Sequence, residues 1–153
     1  VKIAQLREFG PTDSPRTIVH LLWLARETLG RAMRDATIAM PTRAALCLDS
    51  AEMIRAAKLL AYSDLGHNTD TIWTHLDLAD DSARSAKLLG LLAARYGELA
   101  SDGKTWEKER AEKANTIFRK AAESAQQCVH RALSQICDVL PEDESLLDAD
   151  ADA

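Results

Sequence analysis

The chain has 153 residues, 46% of them hydrophobic and 28% charged, which suits one globular domain with a buried core. Nineteen basic residues face twenty-four acidic ones, a formal charge of −5. No apolar run approaches the roughly 20 residues of a membrane span, and Val1–Gly10 carries Lys2, Arg7 and Glu8 where a signal peptide would need an apolar stretch. Location in the cytoplasm, away from the membrane, is the expectation.

Residues 1–14 read as a short arm ending in Gly10-Pro11-Thr12-Asp13-Ser14. Ser14 is suited to cap a helix whose first residue is Pro15, the favoured place for proline. Helix one is expected from about 15 to 39, with Ile18, Leu22, Ala25, Leu29, Ala32, Met33, Ala36 and Met40 forming one stripe at three- and four-residue steps. Pro41 is expected to end it or kink it. Helix two is expected over 42–64. Its apolar residues (Leu46, Leu48, Met53, Ile54, Ala57, Leu59, Leu60) cover most of its surface, which predicts a central helix. Gly66 is a suitable stop.

Helix three is expected over 70–100. One face carries Ile72, Leu76, Ala79, Ala83, Ala86, Gly90, Ala94 and Gly97. Six of these, Ala79 through Gly97, are small enough to let another helix backbone come close. Gly90 and Gly97 cost helix stability, so a packing reason is expected at both. Ser101-Asp102-Gly103 makes the next turn. Helix four is expected over 104–140. Ala111, Ala114, Phe118, Ala121, Ala125, Cys128, Ala132 and Ile136 form a coiled-coil-like seam along it. No strand pattern and no internal repeat is legible. The predicted fold is all-α: an elongated antiparallel bundle of four helices over residues 15–140, followed by an acidic tail over 141–153.

The tail holds six carboxylates (Glu142, Asp143, Glu144, Asp148, Asp150, Asp152) and no base. Without it the body carries +1, and the first 62 residues carry +3. Such an end reads as solvating and disordered, so the negative total does not argue against contact with an anionic partner.

On the face of helix one opposite the apolar stripe lie Arg16, His20, Glu27, Arg31 and Arg34, with Trp23 beside them. Arginines next to an aromatic side chain suit a phosphate backbone and a stacked base. The plainer reading is a solvated face with Glu27 pairing Arg31 across one turn. This ridge (Arg16, His20, Trp23, Arg31, Arg34) is the strongest contact surface in the sequence, directed at RNA, DNA or a protein partner.

Other constellations carry less. Asp64-Leu65-Gly66-His67-Asn68-Thr69-Asp70, with His75 and Asp77, contains metal-ligand chemistry, but turn chemistry explains the same residues. The Glu-x-x-His pairs of di-iron bundles and the spacings of zinc sites are absent from the sequence. So are nucleophile elbows and phosphate-cradling glycine loops. Arg16 and His20 lack any accompanying nucleophile. No catalytic residue, metal or cofactor is therefore expected. Cys47, Cys128 and Cys137 read as buried thiols, not a disulfide framework. Trp106 reads as a staple at one end of the bundle, with Trp73 at the same end.

These readings converge on a non-enzymatic assembly subunit that docks other subunits or copies of itself and touches nucleic acid through the ridge. In helical architecture and size the chain is similar to the small subunits of CRISPR effector complexes. That resemblance rests on fold class alone and implies a place within a nucleoprotein complex. Two other classes stand beside it. One is a small regulator, such as an antitoxin or inhibitor, acting by protein binding. The other is a helical enzyme or ligand-binding bundle with a core pocket under His75 or His130.

Overall fold

The computed structural model describes residues 14–64 and 70–139. The N-terminal arm, the Gly66 turn and the acidic tail lie outside the described residues. Four helices follow one another: α1 (Ser14–Arg34), α2 (Met40–Asp64), α3 (Asp70–Ser101) and α4 (Glu107–Val139). They pack antiparallel, α1 on α2, α2 on α3, α3 on α4, with α4 returning against α1 to close the ring. The described residues contain no strand, and none of their helices is long and apolar enough to cross a membrane.

The core follows the periodic stripes. Ile18, Leu22, Ala25 and Leu29 from α1 meet Cys47, Ile54 and Ala57 from α2. Ile72, Leu76, Ala79, Ala83 and Ala86 from α3 meet Phe118, Ala125, Val129, Leu133 and Ile136 from α4. Phe118 is the largest of the fully buried side chains. Alanine dominates the remainder, so the helices approach closely and the core is thin.

Several boundaries and faces differ from the sequence reading. α1 stops at Arg34, five residues before the expected end. The chain turns at 35–39, where the Asp35 carboxylate accepts hydrogen bonds from the Thr37 amide (3.0 Å) and the Thr37 hydroxyl. Pro41 lies inside the first turn of α2, where its missing N–H leaves no helical bond unmade. The last carbonyls of α1 are met from a distance in sequence. The Arg43 guanidinium, 9% exposed, donates to the Ala32 and Met33 carbonyl oxygens and lies 5.4 Å from the Phe118 ring centroid.

α2 is one member of the ring, not its centre. It buries its small residues, Ala44, Cys47, Ser50, Ala51, Ala57 and Ala61, with Ile54. Leu59 and Tyr62 are left 59% and 71% exposed. Its outer seam with α3 is polar. Lys58 pairs with Asp77 (2.8 Å) and Asp80 (3.7 Å), while Arg84 pairs with Asp80 (2.7 Å) and Glu52 (3.0 Å).

The small-residue stripe of α3 holds through Ala79, Ala83, Ala86 and Gly90, then departs from expectation. A Cβ at Gly90 would sit 3.0 Å from the Ala44 Cβ and 3.2 Å from the Phe118 ring, so α2, α3 and α4 converge there. One turn on, Ala93 is buried, whereas Ala94 and Gly97 are half-buried. Nothing lies within 4 Å of a Cβ built at Gly97. The reason is length. α3 and α4 run past the start of α2, so Gly97 lines an open groove with Met40 and Ala111 instead of packing.

α3 then ends in a Schellman motif. The Lys104 amide bonds the Leu99 carbonyl (3.1 Å) and the Gly103 amide bonds the Ala100 carbonyl (3.4 Å). Gly103 takes φ +98°, which a side chain would strain. Trp106 precedes α4 and is 65% exposed, so it staples nothing. It follows the C-terminus of α3, whereas Trp73 lies near its N-terminus against Tyr62, with ring centroids 5.1 Å apart. The two tryptophans therefore mark opposite ends of α3, not one.

Candidate nucleic-acid interface

The polar face of α1 meets α4 along a surface groove. Its larger part, an open hollow of about 570 Å³, is lined by Trp23, Arg26, Glu27, Gly30, Arg31, Arg34, Asp35 and Gln126. A second hollow of about 310 Å³ adjoins it, sharing Arg26 and Gln126 and adding Gln127, His130 and Arg131 from α4. Two of the five ridge residues predicted from sequence, Arg31 and Arg34, stand exposed in this groove. Trp23 lines it, half-buried.

The other two ridge residues lie elsewhere. Arg16 is half-buried and lines neither hollow. His20 is 1% exposed, so it is not a surface residue. Its angular position on the helix is polar, but tertiary neighbours cover that face at this end of α1, and periodicity does not register them.

Trp23 also has a different role from the one expected. The Arg26 guanidinium lies 3.8 Å from its ring centroid and covers one face of the indole. Arg26 is held further by a 3.1 Å hydrogen bond to His130 Nδ1, and its carbonyl accepts from Gln126 Nε2 (3.1 Å). The Arg26–His130 bond requires a lone pair on Nδ1, because a guanidinium only donates. The tryptophan thus positions an arginine at the centre of the groove and is not an open stacking platform.

The charges flanking that centre are available. Among the described residues, no carboxylate lies within ion-pair distance of Arg31, Arg34 or Arg131, and the Glu27–Arg31 pair does not form. Two carboxylates, Glu27 and Asp35, line the same hollow, and Asp35 follows directly on Arg34. Its carboxyl is held below the usual carboxylate range by the side-chain and backbone hydrogen bonds from Thr37, and the Arg31 and Arg43 charges add to the effect. Asp35 is thus engaged by its own turn.

Helical periodicity alone does not single out Arg26, Gln126, His130 or Arg131. Arg26 lies three residues after Trp23, the spacing of neighbours on a helix face, and is the one legible signal among them. The α4 contribution depends on the antiparallel return against α1 and has no local signature.

The other constellations do not assemble. His75 turns toward α4, where Gln135 Nε2 lies 3.4 Å from its Nε2, while Asp77 turns toward Lys58 of α2. Residues two apart on a helix face different ways, so these two do not converge. Residues 65–69 and the side chains of Asp64 and Asp70 lie outside the described residues. Among the described residues, no three His, Cys, Asp or Glu side chains are placed to hold a metal. Cys47 is fully buried and Cys128 nearly so, both as free thiols. Burial pushes the Cys47 thiol up to about 12 against the opposing charge of Arg43. The Cys137 side chain lies outside the described residues. No protein-family model, no curated protein and no solved structure matches this chain.

Proposed function

We propose that this chain is a non-enzymatic subunit of a nucleoprotein assembly, and that its α1/α4 groove holds the phosphate backbone of a nucleic-acid strand. The observation that carries the reading is the groove itself. Arg31 and Arg34 lie one turn apart on α1 in one hollow, Arg131 stands farther along on α4 in the adjoining one, and Arg26, held by Trp23 and His130, lines both. Four arginines against Glu27 and Asp35 give the track a net positive charge, and Arg31, Arg34 and Arg131 have no ion pair among the described residues, which suits a polyanion. Glutamine amides at Gln126 and Gln127 line the same track and add uncharged donors.

Contact of this kind is backbone positioning, without base readout. Arg26 occupies one face of the indole, and the groove offers no second aromatic. Recognition is therefore insensitive to sequence. The bundle serves as a rigid spacer, with its ion-paired α2/α3 seam turned away from the strand.

Binding of a labelled oligouridine at low salt, followed by anisotropy, tests the reading. Arg31→Glu with Arg34→Glu should abolish binding, while Arg55→Glu, a single charge reversal on the exposed face of α2, should leave it intact. Equal loss in both proteins, or no binding by the native chain, overturns the proposal.

A further inference from the structure

The outer face of α3 has no neighbour in the bundle. Its positions 78, 81, 85, 88 and 92 step by three and four, and 95 completes the series, on the side of the helix opposite the buried Leu76, Ala79, Ala83 and Ala86. Three of them are leucines: Leu78 is 49% exposed, Leu88 63% and Leu92 42%. Single exposed leucines are ordinary. Three in one seam of heptad spacing are the pattern by which one helix packs on another.

The charges on this seam say what the other helix is. Asp81 and Arg95 lie seven residues to either side of Leu88. When two copies of α3 cross antiparallel about Leu88, Asp81 of each meets Arg95 of the other, and Leu88 meets Leu88 on the two-fold axis. In that register Ser85 falls beside Leu91 and Leu92 of the second copy, a small side chain opposite two leucines that are each 42% exposed. A parallel arrangement would set Asp81 on Asp81 and Arg95 on Arg95. Both residues are available. Asp81 has no ion-pair partner among the described residues, and Arg95 pairs only with Glu98 on its own helix, at 3.4 Å with both side chains about two-thirds exposed. An exposed pair of that kind is worth little and yields readily.

We propose that the outer face of α3 is a self-association surface, on which a second copy of this chain docks antiparallel about Leu88, with Asp81 and Arg95 paired twice across the two-fold axis. The interface is isologous, so it closes at two copies. It rests on α3 alone and stands or falls separately from the α1/α4 groove.

The two charged positions provide the test. Light scattering and analytical ultracentrifugation of the full chain across a micromolar-to-millimolar series should show a monomer–dimer equilibrium. Asp81→Arg places arginine against arginine and Arg95→Asp places aspartate against aspartate, so each variant alone should weaken the dimer about tenfold or more. Mixed together, the two variants regain both pairs. The arginine introduced at position 81 of one chain then meets the aspartate introduced at position 95 of the other. The native Arg95 of the first chain meets the native Asp81 of the second. The mixture should therefore dimerise as a heterodimer near native strength. Circular dichroism confirms that both variants fold. A native chain that stays monomeric throughout overturns the proposal. So do single variants that dimerise like the native chain, or a mixture no stronger than its components.

Discussion

The two glycines in the α3 stripe should respond to alanine with opposite signs. A Cβ at Gly90 would stand 3.0 Å from the Ala44 Cβ and 3.2–3.3 Å from two carbons of the Phe118 ring. Ala44 and Phe118 are both fully buried. The Ala44 Cβ moves only with its backbone, and the phenylalanine has no room to swing. Relieving the contact therefore requires a shift of α2 or α4 by a few tenths of an ångström. Inserting a methyl group into a well-packed core costs about 1–3 kcal/mol. Helix propensity returns about 0.8–1 kcal/mol when alanine replaces glycine. The balance for Gly90→Ala is a loss of roughly 1 kcal/mol. At Gly97 nothing lies within 4 Å of the added Cβ, so only the propensity term acts. It is reduced by proximity to the helix end, and Gly97→Ala should gain about 0.5 kcal/mol. Urea titration followed by circular dichroism measures both. Comparison of the double variant Gly90→Ala with Ala44→Gly against Ala44→Gly alone isolates the contact, because Gly90→Ala should cost less once the Ala44 Cβ is gone. If Gly90→Ala stabilises the protein as much as Gly97→Ala does, the three-helix convergence at this point is wrong.

Further outcomes follow from the interior and from the α1–α2 turn. Arg43→Met keeps the aliphatic packing on Phe118 but removes the donors to the Ala32 and Met33 carbonyls; it should cost about 2 kcal/mol in urea titration, and a loss under about 0.5 kcal/mol would show that these carbonyls need no cap. Cys47, held protonated up to about 12 by burial, should resist thiol reagents at pH 8 in the folded protein and react only on unfolding, as peptide mapping would reveal. Because its proton is held more tightly in the fold, its contribution to stability is complete below the ordinary thiol value of 9.0 and declines as pH rises from there toward 12; stability that is flat across that window would contradict the burial. Thr37→Val should raise the Asp35 titration toward the ordinary carboxylate value by removing the hydroxyl donor, which NMR titration would follow.

The fold class and the existence of four helices were legible because the apolar steps of three and four run through Ile18–Ala32, Ile72–Gly90 and Ala114–Ile136 with few interruptions. What was not legible depended on residues distant in sequence. The periodicity of helix one continues by coincidence through Ala36 and Met40, while α1 actually ends where Arg43 caps it from α2. The apolar girth of α2 suggested a central helix, yet its alanines face inward and its leucines ring the edge. Gly90 and Gly97 look alike in the sequence; only the unequal lengths of the helices separate a packed glycine from an open one. In the candidate site, Arg31, Arg34 and Trp23 were found from one helix alone. Arg131, His130 and Gln126 join them only through the antiparallel return of α4, and His20 left the site because burial at that end of α1 depends on its neighbours.

The salt dependence of oligouridine binding tests the central claim most directly. Arg31, Arg34 and Arg131 are the available charges, so about three phosphates should be neutralised, giving a log–log slope near −2 for a single strand. Affinity should then fall roughly twentyfold between 50 and 200 mM salt. Reversal of Arg31 alone, which leaves Arg34 and Arg131, should weaken binding and flatten the slope to about −1.4. A native slope that is already flat, or one unchanged by the reversal, would contradict the assignment of the α1/α4 groove to a nucleic-acid backbone.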